Sequence, residues 1–226
     1  MKKIITVIIP VFNEAENIPL LYEELNLITQ EISTYDFTFL FVNDGSRDKS
    51  LKVISQIREC DHRVHYISLS RNFGKEVAIA AGLDHIGVNT VAAIVMDADL
   101  QHPPSLIKEM VVYWERGYDD VYAIRENRDE EGFWKKRLTS LFYKIINLTS
   151  KTPIVADAGD YRLLSRKAIL GIQKIREKDR FTKGIYSWVG FKKKAITFQV
   201  KPRKRGNSKW GYLKLIGLAV DGITSF

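Results

Sequence analysis

The chain has 226 residues, 45% hydrophobic and 27% charged, with a net charge of +8 and a single cysteine, Cys60. Such a chain can bury a sizeable core, is neither disordered nor low in complexity, and can form no internal disulfide. Its basic excess suggests a phosphate-rich partner (a nucleotide, a nucleic acid or an anionic membrane surface), although a charge run by itself is read first as a solvated face.

The N-terminal "MKK" precedes "IITVIIP", which is too short for the apolar stretch of a signal peptide. "IITVIIP" instead predicts a first strand. "EAENIPLLYEELNLITQEI" follows, with Ile18, Leu21, Leu25 and Ile28 at helical spacing. "FTFLFVND" is the next predicted strand, "SLKVISQIREC" a helix, "VHYISLS" a strand and "KEVAIAAGLDHI" a helix. "TVAAIVMD" predicts the fourth strand, "PSLIKEMVVYWERG" a helix and "DVYAIR" the fifth strand. Strands that alternate with helices imply a parallel sheet covered on both faces, and continuous apolar strands fit that burial.

Beyond about residue 128 the pattern changes. "FWKKRLTSLFYKIINLTS" is amphipathic, "DYRLLS" and "KAITFQVKP" read as strands, and "WGYLKLIGLAVDGITSF" closes the chain as a mostly apolar helix. Eight basic residues crowd one stretch: Lys192, Lys193, Lys194, Lys201, Arg203, Lys204, Arg205 and Lys209. No run reaches the ~20 apolar residues of a membrane-spanning helix. With no clean linker, the chain is expected to be one domain: a ligand-binding core over 1–128 and a C-terminal elaboration over 129–226.

Ligands of open parallel sheets bind beyond the carboxyl ends of the strands. Three predicted strands end in polar residues: Asn13-Glu14 after the first, Asn43-Asp44-Gly45-Ser46 after the second and Asp97-Ala98-Asp99-Leu100-Gln101 after the fourth. These ends should converge on one crevice. Two carboxylates as close as Asp97 and Asp99 repel unless a cation neutralises them. A divalent ion that also binds substrate phosphates does this, so Asp-x-Asp reads as a metal–diphosphate clamp. Read structurally, the same residues would be a strand-end cap and a helix cap. Their position facing the second strand's "NDGS" favours the clamp.

The segments "VIIPVFNEAENI", "FVNDGSRDKS", "SRNFGKEVAIAAGLDHI", "MDADLQHPP", "DYRLLSRKAI", "RFTKGIYSWVGF" and "RKRGNSKW" together resemble the family 2 inverting glycosyltransferases. The resemblance runs along essentially the whole chain. It is to the branch acting on polyprenyl phosphates, which includes bacterial undecaprenyl-phosphate glucosyltransferases and dolichyl-phosphate mannose synthase. "SRNFGKE" with "DADLQHPP" points to the bacterial members. The implied fold is α/β: the GT-A, Rossmann-like, mostly parallel sheet with helices on both faces and a membrane-facing amphipathic elaboration.

The resemblance also implies roles. Pro10, Phe12, Glu14 and Asp44 would hold the base and ribose of a UDP-sugar donor. Asp97, Ala98, Asp99 and Gln101 match the metal–diphosphate motif, with Asp97, Asp99 and Gln101 as ligands of Mg²⁺ or Mn²⁺. His102 is read as structural, or as a support behind the ligands. Arg125, Arg137, Arg203 and Lys209 match phosphate-binding positions, and Gly206 would let the last loop close as a lid. Asp157 and Asp160 match an acidic position near the acceptor and, with Asp99, are the catalytic candidates.

The acceptor implied is a polyprenyl phosphate, an anionic nucleophile that needs little base catalysis. Family members of this type carry two C-terminal transmembrane helices, so the chain is expected to be the soluble or peripheral part of a longer protein. That protein would sit at the cytoplasmic face of the plasma membrane, against anionic lipid and without nucleic acid, as a monomer or a homo-oligomer. Rival readings are a transferase with a non-lipid acceptor and a non-catalytic basic module binding membrane or nucleic acid. A sugar nucleotidyltransferase is disfavoured, because "PVFNEAEN" has no glycine where such an enzyme carries its phosphate loop. Glucose and N-acetylglucosamine are the leading candidates for the hexose.

Overall fold

The computed structural model describes residues 2–126, 158–177 and 182–199. Seven strands form one sheet: β1 (Ile4–Val11), β2 (Asp36–Asn43), β3 (Val64–Ser68), β4 (Thr90–Val95), β5 (Asp120–Arg125), β6 (Ala158–Ser165) and β7 (Lys193–Phe198). The helices among the described residues are α1 (Ile18–Gln30), α2 (Ser50–Cys60), α3 (Lys75–Asp84), α4 (Leu106–Glu115), α5 (Arg166–Gln173) and α6 (Thr182–Trp188). The strand order is β3-β2-β1-β4-β6-β5-β7. β3, β2, β1 and β4 pair in parallel, as do β5 and β7, while β6 runs antiparallel to β4 and β5.

All seven strands match the apolar runs expected from the sequence. The antiparallel insertion of β6 between β4 and β5 is new. Alternation of strands and helices carries no information on direction once the chain leaves β5. The two helices over 133–150 and 210–226 expected from the sequence lie outside the described residues, whereas α5 and α6 were not anticipated. α5 begins at a hydroxyl cap, in which Ser165 Oγ accepts from the Ala168 N–H at 3.2 Å.

The sheet buries both faces, which is why its strands are continuously apolar. Ile5, Val7 and Ile9 of β1 pack on one face with Leu21 and Leu25 of α1, Ile54 of α2 and Ile107 and Met110 of α4. Ile8 packs on the other face with Ala78 and Ile79 of α3, Ile169 of α5 and Ile185 of α6. α3 approaches β1 closely at Gly82, where a Cβ would lie 2.4 Å from Ile8 Cγ2. Near the amino ends of the strands, buried hydroxyls link β2, β1 and β4: Thr6 Oγ1 lies 3.0 Å from that of Thr38 and 2.9 Å from that of Thr90. The carboxyl ends are left to carry chemistry. No helix among the described residues is long and apolar enough to cross a membrane.

The far half of the sheet is held by a buried ion pair. Arg162 of β6 donates through Nη1 to both Asp120 oxygens at 3.2 and 3.0 Å and through Nη2 to the Gly159 carbonyl at 2.9 Å. Its guanidinium lies 3.6 Å from the Tyr186 ring centroid. Nearby, Lys193 is half-buried beside Asp120, while Lys192 and Lys194 place their ammonium groups over Tyr118 and Tyr113 at 4.4 and 4.8 Å. The first three residues of the basic stretch therefore have partners on the protein, and the rest lie outside the described residues.

Removing one partner of a buried pair strands the other charge, at a cost of roughly 3–5 kcal/mol. Arg162→Ala is expected to lose stability of that order, read as a lowered urea midpoint at unchanged slope. An Arg162→Met, Asp120→Asn double variant should recover most of the loss. An unchanged midpoint for Arg162→Ala would contradict this role.

Candidate active site

The order β2-β1-β4 sets the three polar strand ends side by side. The first two are laced together. Asn13 takes a left-handed conformation (φ 55°), which Asn tolerates better than bulkier residues. Its Oδ1 accepts from the Arg47 N–H at 2.7 Å, and its own N–H donates to Ser46 Oγ at 3.0 Å. The N–H groups of Glu14 and Ala15 donate to Ser50 Oγ and Asp48 Oδ2 at 2.9 and 3.1 Å. Glu14 Oε2 accepts from Asn17 Nδ2 at 2.7 Å.

Asp44 is 3% exposed and pins a third loop. Its Oδ1 accepts from the Phe73 N–H at 2.8 Å, and its Oδ2 accepts from the Gly74 N–H at 2.9 Å and Asn72 Nδ2 at 3.1 Å. Next to it Gly45 has φ +65°, and a Cβ there would lie 2.4 Å from the Arg71 carbonyl carbon. Only glycine lets the loop come so close. Between these loops opens a cavity of about 410 Å³, lined by Phe12, Asn13, Gly45, Arg47, Ser70, Arg71 and Asn72. The Arg71 guanidinium lies 4.1 Å from the Phe73 ring centroid. Phe12 lines the cavity, Pro10 lies within β1 just before it, and Asp44 forms its support.

The third strand end follows β4. Met96, Ala98 and Leu100 are buried in the α1/α2/α4 core, so Ala98 is a packing residue on that face. Leu100 adopts φ 61°, an uncommon conformation for a bulky residue and the kind of strain that collects at functional sites. Asp99 Oδ1 accepts from the Gln101 N–H at 3.1 Å, which closes a turn around the motif. Tyr161 of β6 donates to the Pro103 carbonyl at 3.0 Å and ties the loop down.

β6 brings the second half of this site. In the antiparallel register Val95 faces Arg162. Continued by two residues, that register sets Asp97 opposite Asp160, and like charges directly opposite on neighbouring strands repel. Lys75, the first residue of α3, lies between them: Nζ is 2.6 Å from Asp97 Oδ1 and 2.6 Å from Asp160 Oδ2. Desolvation works against its charge, but the Asp160 and Asp97 carboxylates outweigh it and raise the Lys75 pKa. Glu76 accepts from the Thr182 N–H at 3.2 Å. Burial, then the Asp160 charge, push its carboxyl up.

His102 is stacked on Tyr161, with ring centroids 5.1 Å apart, and its Nδ1 lies 3.8 Å from Asp97 Oδ2. Burial pushes its imidazole below the usual range, with Asp97 opposing and Lys75 reinforcing the shift. Arg125, exposed at the end of β5, adds in the same direction. A buried ring stacked on Tyr161 and 3.8 Å from Asp97 suits the supporting position expected of His102.

Asp97, Asp99 and Gln101 offer two carboxylates and an amide carbonyl, a hard oxygen set suited to Mg²⁺ or Mn²⁺. Among the described residues no three His, Cys, Asp or Glu side chains gather into a metal site. An ion here would therefore complete its shell with oxygens from substrate, the usual habit of Mg²⁺. Arg137, Asp157, Arg203 and Lys209 lie outside the described residues.

Sequence reasoning assigned no role to Lys75, Glu76, Arg47, Arg71 or Asn72. The available signal was position: the loop after β3 opens on the same sheet edge as the other three.

This sheet order is that of the GT-A fold. A mannosyltransferase from Pyrobaculum calidifontis, solved in complex with GDP-Man and Mn²⁺, superposes with a TM-score of 0.60 over 88% of this chain and 55% of that one, at 17% identity. Glucosyl-3-phosphoglycerate synthase from Mycobacterium tuberculosis, solved with Mn²⁺, UDP-glucose and phosphoglyceric acid, gives 0.60 over 99% of this chain and 78% of that one, at 16% identity. Residues 6–171 match glycosyl transferase family 2, and the chain belongs to that family. A bactoprenol glucosyl transferase of Shigella phage SfV is 39% identical over 222 residues, 98% of this chain and 71% of the relative. CsbB of Bacillus subtilis, a glycosyltransferase by name, is 44% identical over 223 residues, 99% of this chain and 67% of the relative. The chain is thus a glycosyltransferase that spans about two thirds of these relatives' length.

Asp44 is the keystone of the cavity wall, because hydrogen bonds to a buried carboxylate are strong and their loss orphans the donors. Asp44→Ala is expected to destabilise the protein by roughly 2–4 kcal/mol. It should also speed hydrogen exchange at the Phe73 and Gly74 amides at least about tenfold. Unchanged protection at both amides would contradict the assignment.

Proposed function

We propose that this chain carries the catalytic domain of an inverting glycosyltransferase. It moves a hexose, glucose or N-acetylglucosamine, from a UDP-sugar to a polyprenyl phosphate at the cytoplasmic face of the membrane. The observation that carries the reading is the Asp97–Lys75–Asp160 cluster at the sheet edge beside the β1/β2 cavity. The names of the bactoprenol relatives support the lipid acceptor and glucose as donor sugar.

In this reading the cavity takes the nucleoside. Phe12 supplies an apolar wall, the loop held by Asp44 fixes the opposite side, and Glu14 accepts from hydroxyl or ring N–H groups. Asp97, Asp99 and Gln101 would hold Mg²⁺ or Mn²⁺, which supplies charge neutralisation at the diphosphate. Arg125 adds positive charge from the end of β5, and Arg137, Arg203 and Lys209 are proposed to hold phosphate oxygens, bidentately in the case of the arginines.

The acceptor phosphate is already an anionic nucleophile. One of its oxygens attacks the anomeric carbon as the bond to the diphosphate oxygen breaks, and UDP leaves with the electron pair. Positioning therefore matters more than proton removal. Asp160, whose carboxylate already has an ammonium partner, is suited to orienting groups. Asp157 is proposed to stand near the acceptor, and the basic stretch from Lys192 to Lys209 to face anionic lipid.

Calorimetry tests the donor half. UDP should bind in the presence of Mn²⁺ or Mg²⁺ and lose at least about tenfold in affinity in EDTA or in Asp99→Ala. The acceptor half is tested by transfer of radiolabelled glucose from UDP-glucose to undecaprenyl phosphate by the full-length protein. Equal UDP affinity with and without metal would sink the metal clamp, and transfer to a soluble sugar alone would sink the lipid acceptor.

A further inference from the structure

The Asp97–Lys75–Asp160 cluster holds one cation between two carboxylates, and one of those carboxylates is a metal ligand in the function proposed above. Resting on that reading, we infer that Lys75 is a resident counter-ion that occupies the Asp97 position until a divalent cation displaces it, and that its ammonium then stays on Asp160, toward the acceptor side.

The fold requires such a cation. The Asp97 and Asp160 carboxylates both lie 2.6 Å from the one Lys75 Nζ, so without a metal their charges need an internal neutraliser. Lys75 is delivered to that point by backbone. It follows Phe73 and Gly74, whose N–H groups are fixed on the buried Asp44 carboxylate. Its neighbour Glu76 is anchored to the start of α6 and does not share the cluster's hydrogen bonds.

The geometry also says which contact yields. The two distances are equal, but the Asp97 side chain is 26% exposed and that of Asp160 only 12%. An ion arriving from solvent meets Asp97 first. Two cations on one carboxylate repel strongly at such separations. The ammonium can leave Asp97 without losing its more buried partner. The exchange gives the site one cation, of charge +1, in the donor-free state and two cations, of total charge +3, once the metal is bound, when a diphosphate and a phosphate must be brought together.

The prediction runs against a simple ligand role. If Lys75 competes for Asp97, removing its charge should strengthen metal binding. Mn²⁺ alone, without nucleotide, is titrated into the full chain and followed by the electron paramagnetic resonance of the free ion. Lys75→Met is expected to bind Mn²⁺ at least about tenfold more tightly than wild type. Lys75→Arg, which keeps the charge, should stay within about threefold of wild type. Asp97→Asn should abolish binding in either background.

Lys75→Met should also unfold at a lower temperature without metal and regain more than wild type on adding Mn²⁺, which separates displacement from general damage. Mn²⁺ affinity in a natively folded Lys75→Met that equals or falls below wild type overturns the inference while leaving the metal site standing. If wild type binds no Mn²⁺ even with UDP present, the proposed metal clamp falls and this inference falls with it. Should Lys75→Met not fold, Lys75→Arg decides: a tenfold change in its Mn²⁺ affinity contradicts a role resting on charge alone.

Discussion

The repulsion between Asp97 and Asp160 is created by the sheet itself. β6 enters antiparallel beside β4 and brings Asp160 to the same Lys75 ammonium as Asp97, at the edge where the parallel strands end. An edge that collects negative charge must import a cation. Lys75 supplies one from α3, and a divalent ion would supply another. The other features of the site serve to keep this cluster in place: the Asp44-pinned loop before Lys75, the Tyr161 bond to Pro103, and His102 stacked on Tyr161 beside Asp97.

That placement separates the structural and reactive halves of the strands. Toward the amino ends, threonine hydroxyls bond to one another and apolar side chains fill both faces. Toward the carboxyl ends the backbone departs from ordinary geometry. Among the described residues, those other than glycine with positive φ, Asn13 and Leu100, fall just after β1 and β4. Strain held by surrounding structure at a strand end is what a preorganised ligand site requires. The Arg162–Asp120 pair anchors β6 from below, so the position of Asp160 rests on a buried and expensive interaction.

What the sequence revealed follows physical lines. Apolar runs such as "TVAAIVMD" identified all seven strands, because strands buried on both faces are continuously hydrophobic. α1 to α4 were legible from helical spacing or from proline and serine at their starts. α5 and α6 are short and follow β6 in a region where alternation had ended, so nothing in the periodicity separated them from loop. Asp97 and Asp99 stood out because charge at the end of a buried strand is costly without a purpose. Asp44 was picked out for ligand contact; its part in pinning the neighbouring loop, through three hydrogen bonds to its two oxygens, was not read from the sequence. Lys75 was invisible because its partners are set by the pairing of β4 with a strand more than sixty residues later, and hydrophobic periodicity carries no such register.

A crystal of the protein soaked with Mn²⁺ and UDP, recorded at a wavelength where manganese scatters anomalously, tests the central claim most directly. The account predicts one anomalous peak coordinated by Asp97 and Asp99, with UDP phosphate oxygens completing the shell. It also predicts that Lys75 Nζ is withdrawn from Asp97 and still in contact with Asp160. A manganese peak elsewhere, or Lys75 still bonded to Asp97 beside a bound ion, would contradict it.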